Sequence, residues 1–383
     1  MRAGQGIIVI SITLLMLGVV MVNSAGMQVA QEPLDFRDML TSRPTMLAFF
    51  AIIAMFIGSR FPIHIFEKKF CKIPLVLWLL PITIALLFCV YLPGIGREVN
   101  YSSRWITFGP LSFQPSEITK WTMVLVIAWW GASQAEHFGK YWKGFVLPLS
   151  CIGIITAIIA VEDLGTAVLI FAVACLVLFA AGSRLLHFAT LVPVALGGFA
   201  FAVYTSPYRI ARLQAYMDPF DDPEQSGYHI LQSMSTISGG GLAGLGLGNG
   251  IHKFGYLPED TTDFIYSVIC EELGFFGAFA VACLYIGLVV LGVHVIRKTT
   301  NTFLQLIAFG IVVTVGLQAC MNILVVTALI PTKGIALPLL SNGGTGWLLT
   351  AFCIGLIDAI DRKNDRALQM STKTNSTTTP THA

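Results

Sequence analysis

Ten apolar runs punctuate this chain, near residues 7–23, 45–61, 74–92, 118–132, 144–161, 164–182, 186–205, 264–296, 303–330 and 335–360. Most approach or exceed the length that crosses a bilayer as a helix, about 20 residues. In lipid a helix satisfies its backbone polar groups within its own segment, so runs this continuous are expected to be helices. The composition agrees: 55% of residues are hydrophobic and 11% charged, where a soluble domain carries about 25% charged. The expected fold is an all-α polytopic membrane protein with about ten transmembrane helices, a single domain over 1–361.

The net charge of +2 offers nothing to a nucleic-acid partner. Eight cysteines (Cys71, Cys89, Cys151, Cys175, Cys270, Cys283, Cys320 and Cys353) show no CxxC spacing and read as small core hydrophobes. The first 26 residues have the charge and apolar stretch of a signal peptide. Many spans follow, and the topology closes with this one in place, so it is expected as an uncleaved first helix. The fourth run is short and begins with polar PSEITKW, which suits oblique entry or the wall of a wet cavity.

Alternating the spans from a cytoplasmic N-terminus places Arg60, Lys68, Lys69, Lys72, Lys140, Lys143, Arg184, Arg297 and Lys298 inside, with a cytoplasmic C-terminus. That excess follows the positive-inside rule. The acids gather outside, and so does the longest connection, about 206–263. Connections of that length are usually functional. Residues 362–383 are polar and of low complexity, and are expected to be disordered.

The outer ends carry the chemistry. In AVEDLGTAV, Glu162 and Asp163 occupy the turn between spans five and six. Asp163 either caps span six or faces a shared polar cavity. In RWITFGPLSFQPSEITK, Glu117 and Lys120 are three apart and share a helix face, so they are placed to pair. Arg209 and Arg212 repeat that spacing, and guanidinium forks match phosphate oxygens. Lipid-headgroup anchoring is the other reading of that pair. The stretch GGGLAGLGLGNG lacks the strand context and lysine of a nucleotide loop, so its glycines are expected to let the loop fold close against membrane or substrate. Glu259, Asp260 and Asp263 sit at the mouth of span eight. Asp263 has the position of a helix cap and equally that of a general base at a cavity rim. Thr332 and Lys333 precede a Pro/Gly-broken entry to span ten.

These motifs, in this order, resemble the SEDS family (shape, elongation, division and sporulation), over nearly the whole chain from RWITFGPLSFQPSE to PTKGIALPLLSNGGTG. The resemblance implies ten transmembrane helices and a peptidoglycan glycosyltransferase of the bacterial cytoplasmic membrane, acting on its outer face. The implied substrate is lipid II, the undecaprenyl-diphosphate-linked disaccharide-peptide. The implied partners are a class B penicillin-binding protein and other divisome or elongasome membrane proteins. The family's principal carboxylate, in its PExHTDF motif, falls on Asp263 of PEDTTDF, which also contains Glu259. The carboxylate of its PDLGT turn falls on Asp163. Its PSExxK motif falls on Glu117 and Lys120, and its RWI motif on Arg104 and Trp105. Ser341 belongs to the SNGGTG stretch before the last span. PTKG looks more like the FtsW members than the RodA members. The chain departs from the pattern at Glu162 (usually Pro), Thr261 (usually His) and Asn342 (usually Tyr).

The expected chemistry follows. Asp263 takes the proton from an acceptor 4-hydroxyl. Lys120 and Arg212, with Arg209 or Lys333, stabilise the departing diphosphate. Asp163 and Glu117 orient those cations, or Asp163 and Asp263 hold magnesium or manganese, which oxygen-rich sites suit. Two other readings stand beside it: a transporter that flips lipid II, and a non-catalytic scaffold for the transpeptidase. A transporter needs a polar path through the midplane, whereas the charges here cluster outside.

Overall fold

A computed structural model describes residues 2–26, 36–99, 102–108, 111–134, 140–223, 227–251 and 261–377. Its helices follow the apolar runs: α1 (Ala3–Ala25), α2 (Phe36–Thr41), α3 (Arg43–Arg60), α4 (Leu75–Cys89), α5 (Pro115–Ser133), α6 (Leu147–Glu162), α7 (Leu164–Ala180), α8 (Leu185–Ala189), α9 (Leu191–Tyr204), α10 (Pro207–Met217), α11 (Tyr228–Gly240), α12 (Ile265–Lys298), α13 (Thr302–Val326) and α14 (Thr345–Thr377). Among the described residues, six helical stretches are long and apolar enough to cross a membrane: α1, α3, Tyr141–Glu162, Leu185–Tyr204, α12 and α13; α4 and α7 are shorter apolar helices. A small hairpin pairs β1 (Lys69–Phe70) with β2 (Ile73–Pro74). A three-stranded antiparallel sheet, β3 (Gly96–Val99), β4 (Ser102–Phe108) and β5 (Leu111–Phe113), precedes α5 in that spatial order.

The core forms where α5, α7 and α13 pack together, with α14 against α1, α3, α5 and α13. The α3–α14 crossing is tight because it is built on glycines. A Cβ on Gly58 would stand 2.2 Å from Phe352 O, and one on Gly355 would stand 2.1 Å from Met55 O. Small residues let membrane helices approach this closely. The first helix is a working part of the bundle, with one face buried against α12 and α14. Near the middle of α14 the buried Asp358 takes Ser59 Oγ at 2.6 Å and Arg362 Nη2 at 2.6 Å, with Arg2 Nη2 at 3.6 Å. Such pairing is what makes a buried carboxylate tolerable. By contrast α9 buries none of its residues.

Several expectations change. The tenth span starts at Thr345, because Pro338 and the glycines around 343–344 break the apolar run. Residues 331–344 instead form an irregular strap in which Ile335, Leu337, Leu339, Leu340 and Ser341 are buried. The long connection is not structureless: it contains α10 and α11. The tail does not lose structure at 362, since α14 runs on to Thr377. The end of α12 supports it there through a Lys298–Asp365 ion pair and an Asn364–Thr299 hydrogen bond of 2.9 Å. Cys270 and Cys353 are buried, but Cys151, Cys283 and Cys320 face outward from apolar helices, where a thiol meets lipid as readily as core. The glycine stretch after α11 packs on α12. Leu245 N and Gly246 N donate to Glu271 O and Glu272 O, each at 2.9 Å. The Glu272 carboxylate accepts from Ser24 Oγ at 2.7 Å and Gly248 N at 3.1 Å. Gly244 and Gly274, both at positive φ, meet backbone to backbone where α12 kinks.

Candidate active site

Asp163 sits at the break between α6 and α7, where it caps α7 and lines a cleft. Its Oδ1 caps α7 by accepting Thr166 N at 2.9 Å, and its Oδ2 accepts Thr166 Oγ1 at 2.7 Å. The same Oδ2 faces Gln114 Nε2 at 3.4 Å and Arg104 Nη1 at 3.8 Å. Asp163 is 5% exposed, so Arg104 gives a nearly buried carboxylate its counter-charge. Arg104, Gln114, Glu162 and Asp163 form the polar side of a small cleft. Leu87, Val90, Ile158 and Ile159 form its apolar wall. Glu162 is the outer neighbour, accepting from Tyr91 Oη at 3.3 Å.

Arg104 reaches from the middle strand β4 toward a second carboxylate. A Cβ added to Gly334 would lie 3.9 Å from Arg104 Nη1 and 3.1 Å from Asp263 Oδ2. The guanidinium and the carboxylate both lie close to Gly334. A three-residue turn there, Ile335 N to Lys333 O at 2.9 Å, presents Lys333 beside it. Burial pushes the Lys333 ammonium below its usual range. Asp263 does not occupy the cap position of α12, which begins at Ile265 with Phe264 at its cap.

Glu117 and Lys120 pair as their spacing predicts, with Nζ 3.0 and 2.9 Å from the two carboxylate oxygens. Yet Lys120 is only 2% exposed and spends a third contact on Gln318 Oε1 at 3.0 Å. It is a structural counter-ion for Glu117, which lies against Gly346 at the start of α14. It is not a cation open to a diphosphate. Arg209 likewise turns away, donating to Ala160 O, Val161 O and Ala202 O at 2.6, 3.1 and 3.0 Å. It pins α9 and α10 to the end of α6. Arg212 donates to Thr332 O at 3.2 Å and lies over the Tyr208 ring, next to Lys333 in the strap. Trp105 alternates with Arg104 along β4 and so faces the opposite side of the sheet. Ser341 is fully buried, its Oγ accepting from Leu337 N at 2.7 Å, and closes the strap's turn. Glu259 lies outside the described residues.

Asp163 and Asp263 are the expected ligands of a divalent ion. Both Asp163 oxygens already accept from Thr166, and Arg104 stands where a cation would neutralise it. Among the described residues no three His, Cys, Asp or Glu side chains gather for a metal. The donor set described here fits a guanidinium counter-charge better than a resident ion.

Residues 5–366 match the model of the cell cycle protein family that comprises FtsW, RodA and SpoVE. The chain belongs to this family. A "Probable peptidoglycan glycosyltransferase FtsW" from Geobacter sp. (strain M18) is 35% identical over 92% of this chain and 94% of its own length. Stage V sporulation protein E of Bacillus subtilis (strain 168) is 34% identical over 93% and 96%. Among solved structures, a chain from a study of polymerization and crosslinking by a peptidoglycan synthase complex superposes with a TM-score of 0.73. It is 24% identical and covers 94% of this chain and 98% of that one. RodA of Thermus thermophilus gives a TM-score of 0.63 at 23% identity, over 94% and 96%. These structures share the FtsW/RodA/SpoVE fold. Two departures from the family's motifs touch one another in this member: Asn342 N donates to Thr261 O at 2.9 Å. That contact ties the strap to the turn carrying Asp263. Gln318 and Asn322 were passed over in the sequence, although two amides four residues apart in an apolar span are a readable signal.

Proposed function

We propose that this family member is a peptidoglycan glycosyltransferase that polymerises lipid II on the outer face of the cytoplasmic membrane. One juxtaposition carries the reading: Asp263 and Arg104 converge on the bare backbone of Gly334, next to Lys333. A carboxylate opposite fixed cations is what an inverting transfer from a lipid diphosphate requires. The acceptor 4-hydroxyl oxygen attacks C1 of the donor sugar as the C1–O bond to the diphosphate breaks. Asp263 receives the hydroxyl proton. Arg104, Lys333 and Arg212 carry the negative charge that develops on the departing diphosphate, as preorganised cations do. Asp163 holds Arg104 in place, and the Glu117–Lys120 pair braces α5 behind it. No step is routed through a metal.

The outward site, the cytoplasmic termini and the pairing with a class B penicillin-binding protein belong to the same proposal. The positive-inside pattern of the loops supports the orientation. The likeness to a chain from a peptidoglycan synthase complex is compatible with the partner. The test is incubation of the full chain with labelled lipid II, with and without its transpeptidase, and separation of the products on a gel. A ladder of glycan chains is expected. Lipid II moved across vesicles without any chain growth would overturn the proposal in favour of transport.

A further inference from the structure

We infer that Asn322 is a positioning residue for Asp263, which fixes the general base to the strap that carries Lys333. This rests on the glycosyltransferase reading above and goes beyond it.

The side chain of Asn322 is 1% exposed, in the outer half of α13. Its Nδ2 donates twice, to Asp263 O at 2.7 Å and to Ile335 O at 2.8 Å. One amide thus joins the backbone of the base to the backbone of the strap, one residue beyond Gly334. In α12 the first hydrogen bonds run from Ser267 N and Val268 N to Phe264 O, the residue after Asp263. The strap is irregular, and its next carbonyl, Ala336 O, is taken by Gln318 Nε2 at 2.8 Å. Gln318 lies one turn from Asn322 and also accepts from Lys120. A single polar stripe on an otherwise apolar helix therefore sets where Asp263, Lys333 and the Glu117–Lys120 pair stand relative to one another.

The amide is also a costly choice for the fold. Asn322 Oδ1 is buried and has no partner, a state that ordinary core residues avoid. Its two donations account for its presence, and both end at the site. Displacement of a reacting group by about 1 Å costs on the order of 10²-fold in rate, so the register that Asn322 sets is a catalytic quantity.

The experiment compares the full chain with Asn322→Leu, which keeps the volume and removes both donors, and with Asn322→Gln, which keeps the amide one methylene away. Lipid II polymerisation is followed for kcat, KM and the acid limb of kcat against pH, beside thermal unfolding. For Asn322→Leu the expected result is a kcat lower by roughly 10- to 100-fold. KM should stay within a few fold, and the acid limb that reports Asp263 should be displaced. Asn322→Gln should recover part of kcat. If Asn322→Leu does not fold, Asn322→Gln alone carries the test, with a reduced kcat and a displaced limb expected. An unchanged kcat, or a fall in kcat with the limb unmoved, overturns the inference and leaves Asn322 a structural residue. Wild-type protein that makes no glycan ladder refutes the glycosyltransferase reading instead.

Discussion

Arg104 Nη1 stands 3.8 Å from Asp163 Oδ2, a contact between the middle strand of the three-stranded sheet and the break between α6 and α7. The Arg104 side chain is 34% exposed, while that of Asp163 is 7% exposed. The guanidinium therefore has one side on a nearly buried carboxylate and another toward the cleft. The turn that looks anomalous in the sequence is what aims Arg104.

Asp163→Asn separates the two duties of that residue. Asparagine caps a helix about as well as aspartate, so thermal unfolding should move little. The charge that holds Arg104 is lost, and polymerisation should fall at least tenfold. Glu162→Gln, at a carboxylate that accepts from Tyr91 Oη at 3.3 Å, should stay within about twofold. Equal and mild losses in both variants would reduce Asp163 to its cap.

Glu117→Gln should act on the fold. It leaves the Lys120 ammonium buried without its carboxylate, a change that costs about 3–5 kcal/mol. The double variant Glu117→Gln with Lys120→Met should be more stable than Glu117→Gln alone. Thermal unfolding of the two in detergent checks it. Additive losses would show that the two side chains do not depend on one another.

Gly334→Ala should act on the chemistry. The new methyl would stand 3.1 Å from Asp263 Oδ2, so the carboxylate has to shift by a few tenths of an ångström. A several-fold drop in kcat is expected, with an unfolding temperature close to wild type. Wild-type kcat would mean that Asp263 tolerates displacement and is not the base.

Lys333 gives a pH dependence with a definite sign. Burial lowers its folded pKa below the ordinary 10.5. Below the folded value the ammonium is charged in both states, and its burial detracts from stability. That penalty is relieved as pH rises from the folded value toward 10.5, so this group's contribution to stability rises with pH in that window. Activity moves the other way, because the cation facing the diphosphate is lost before pH 10.5. The alkaline limb of kcat/KM should shift upward in Lys333→Arg, whose guanidinium stays charged. A limb identical in both proteins would remove Lys333 from the site.

What the sequence made legible was set by its strongest physical signals. Hydropathy alone locates every apolar helix, because lipid leaves long apolar segments little choice. The spacing of Glu117 and Lys120 predicts their contact, since i and i+3 share a helix face. Hydropathy fails at 335–344, where apolar residues serve a buried irregular strap and not a helix. Only Pro338 and the following glycines hint at the difference. It fails also for α10, whose arginines read as phosphate ligands until the structure shows Arg209 spent on backbone carbonyls. Charge at an outer boundary marks a polar region, but which cation faces the cleft depends on tertiary contacts. Lys120 and Arg209 are consumed by the fold, whereas Arg104 pairs with Asp163 and lines the cleft.

The most direct measurement is the rate of glycan-chain formation from labelled lipid II by Asp263→Ala beside the wild type, with lipid II binding measured on both. General-base catalysis contributes about 10²- to 10⁴-fold. The ladder should therefore vanish, or slow by at least 10²-fold, while binding persists. An Asp263→Ala protein that polymerises at the wild-type rate would contradict the assignment of the base, and with it the site described around Gly334.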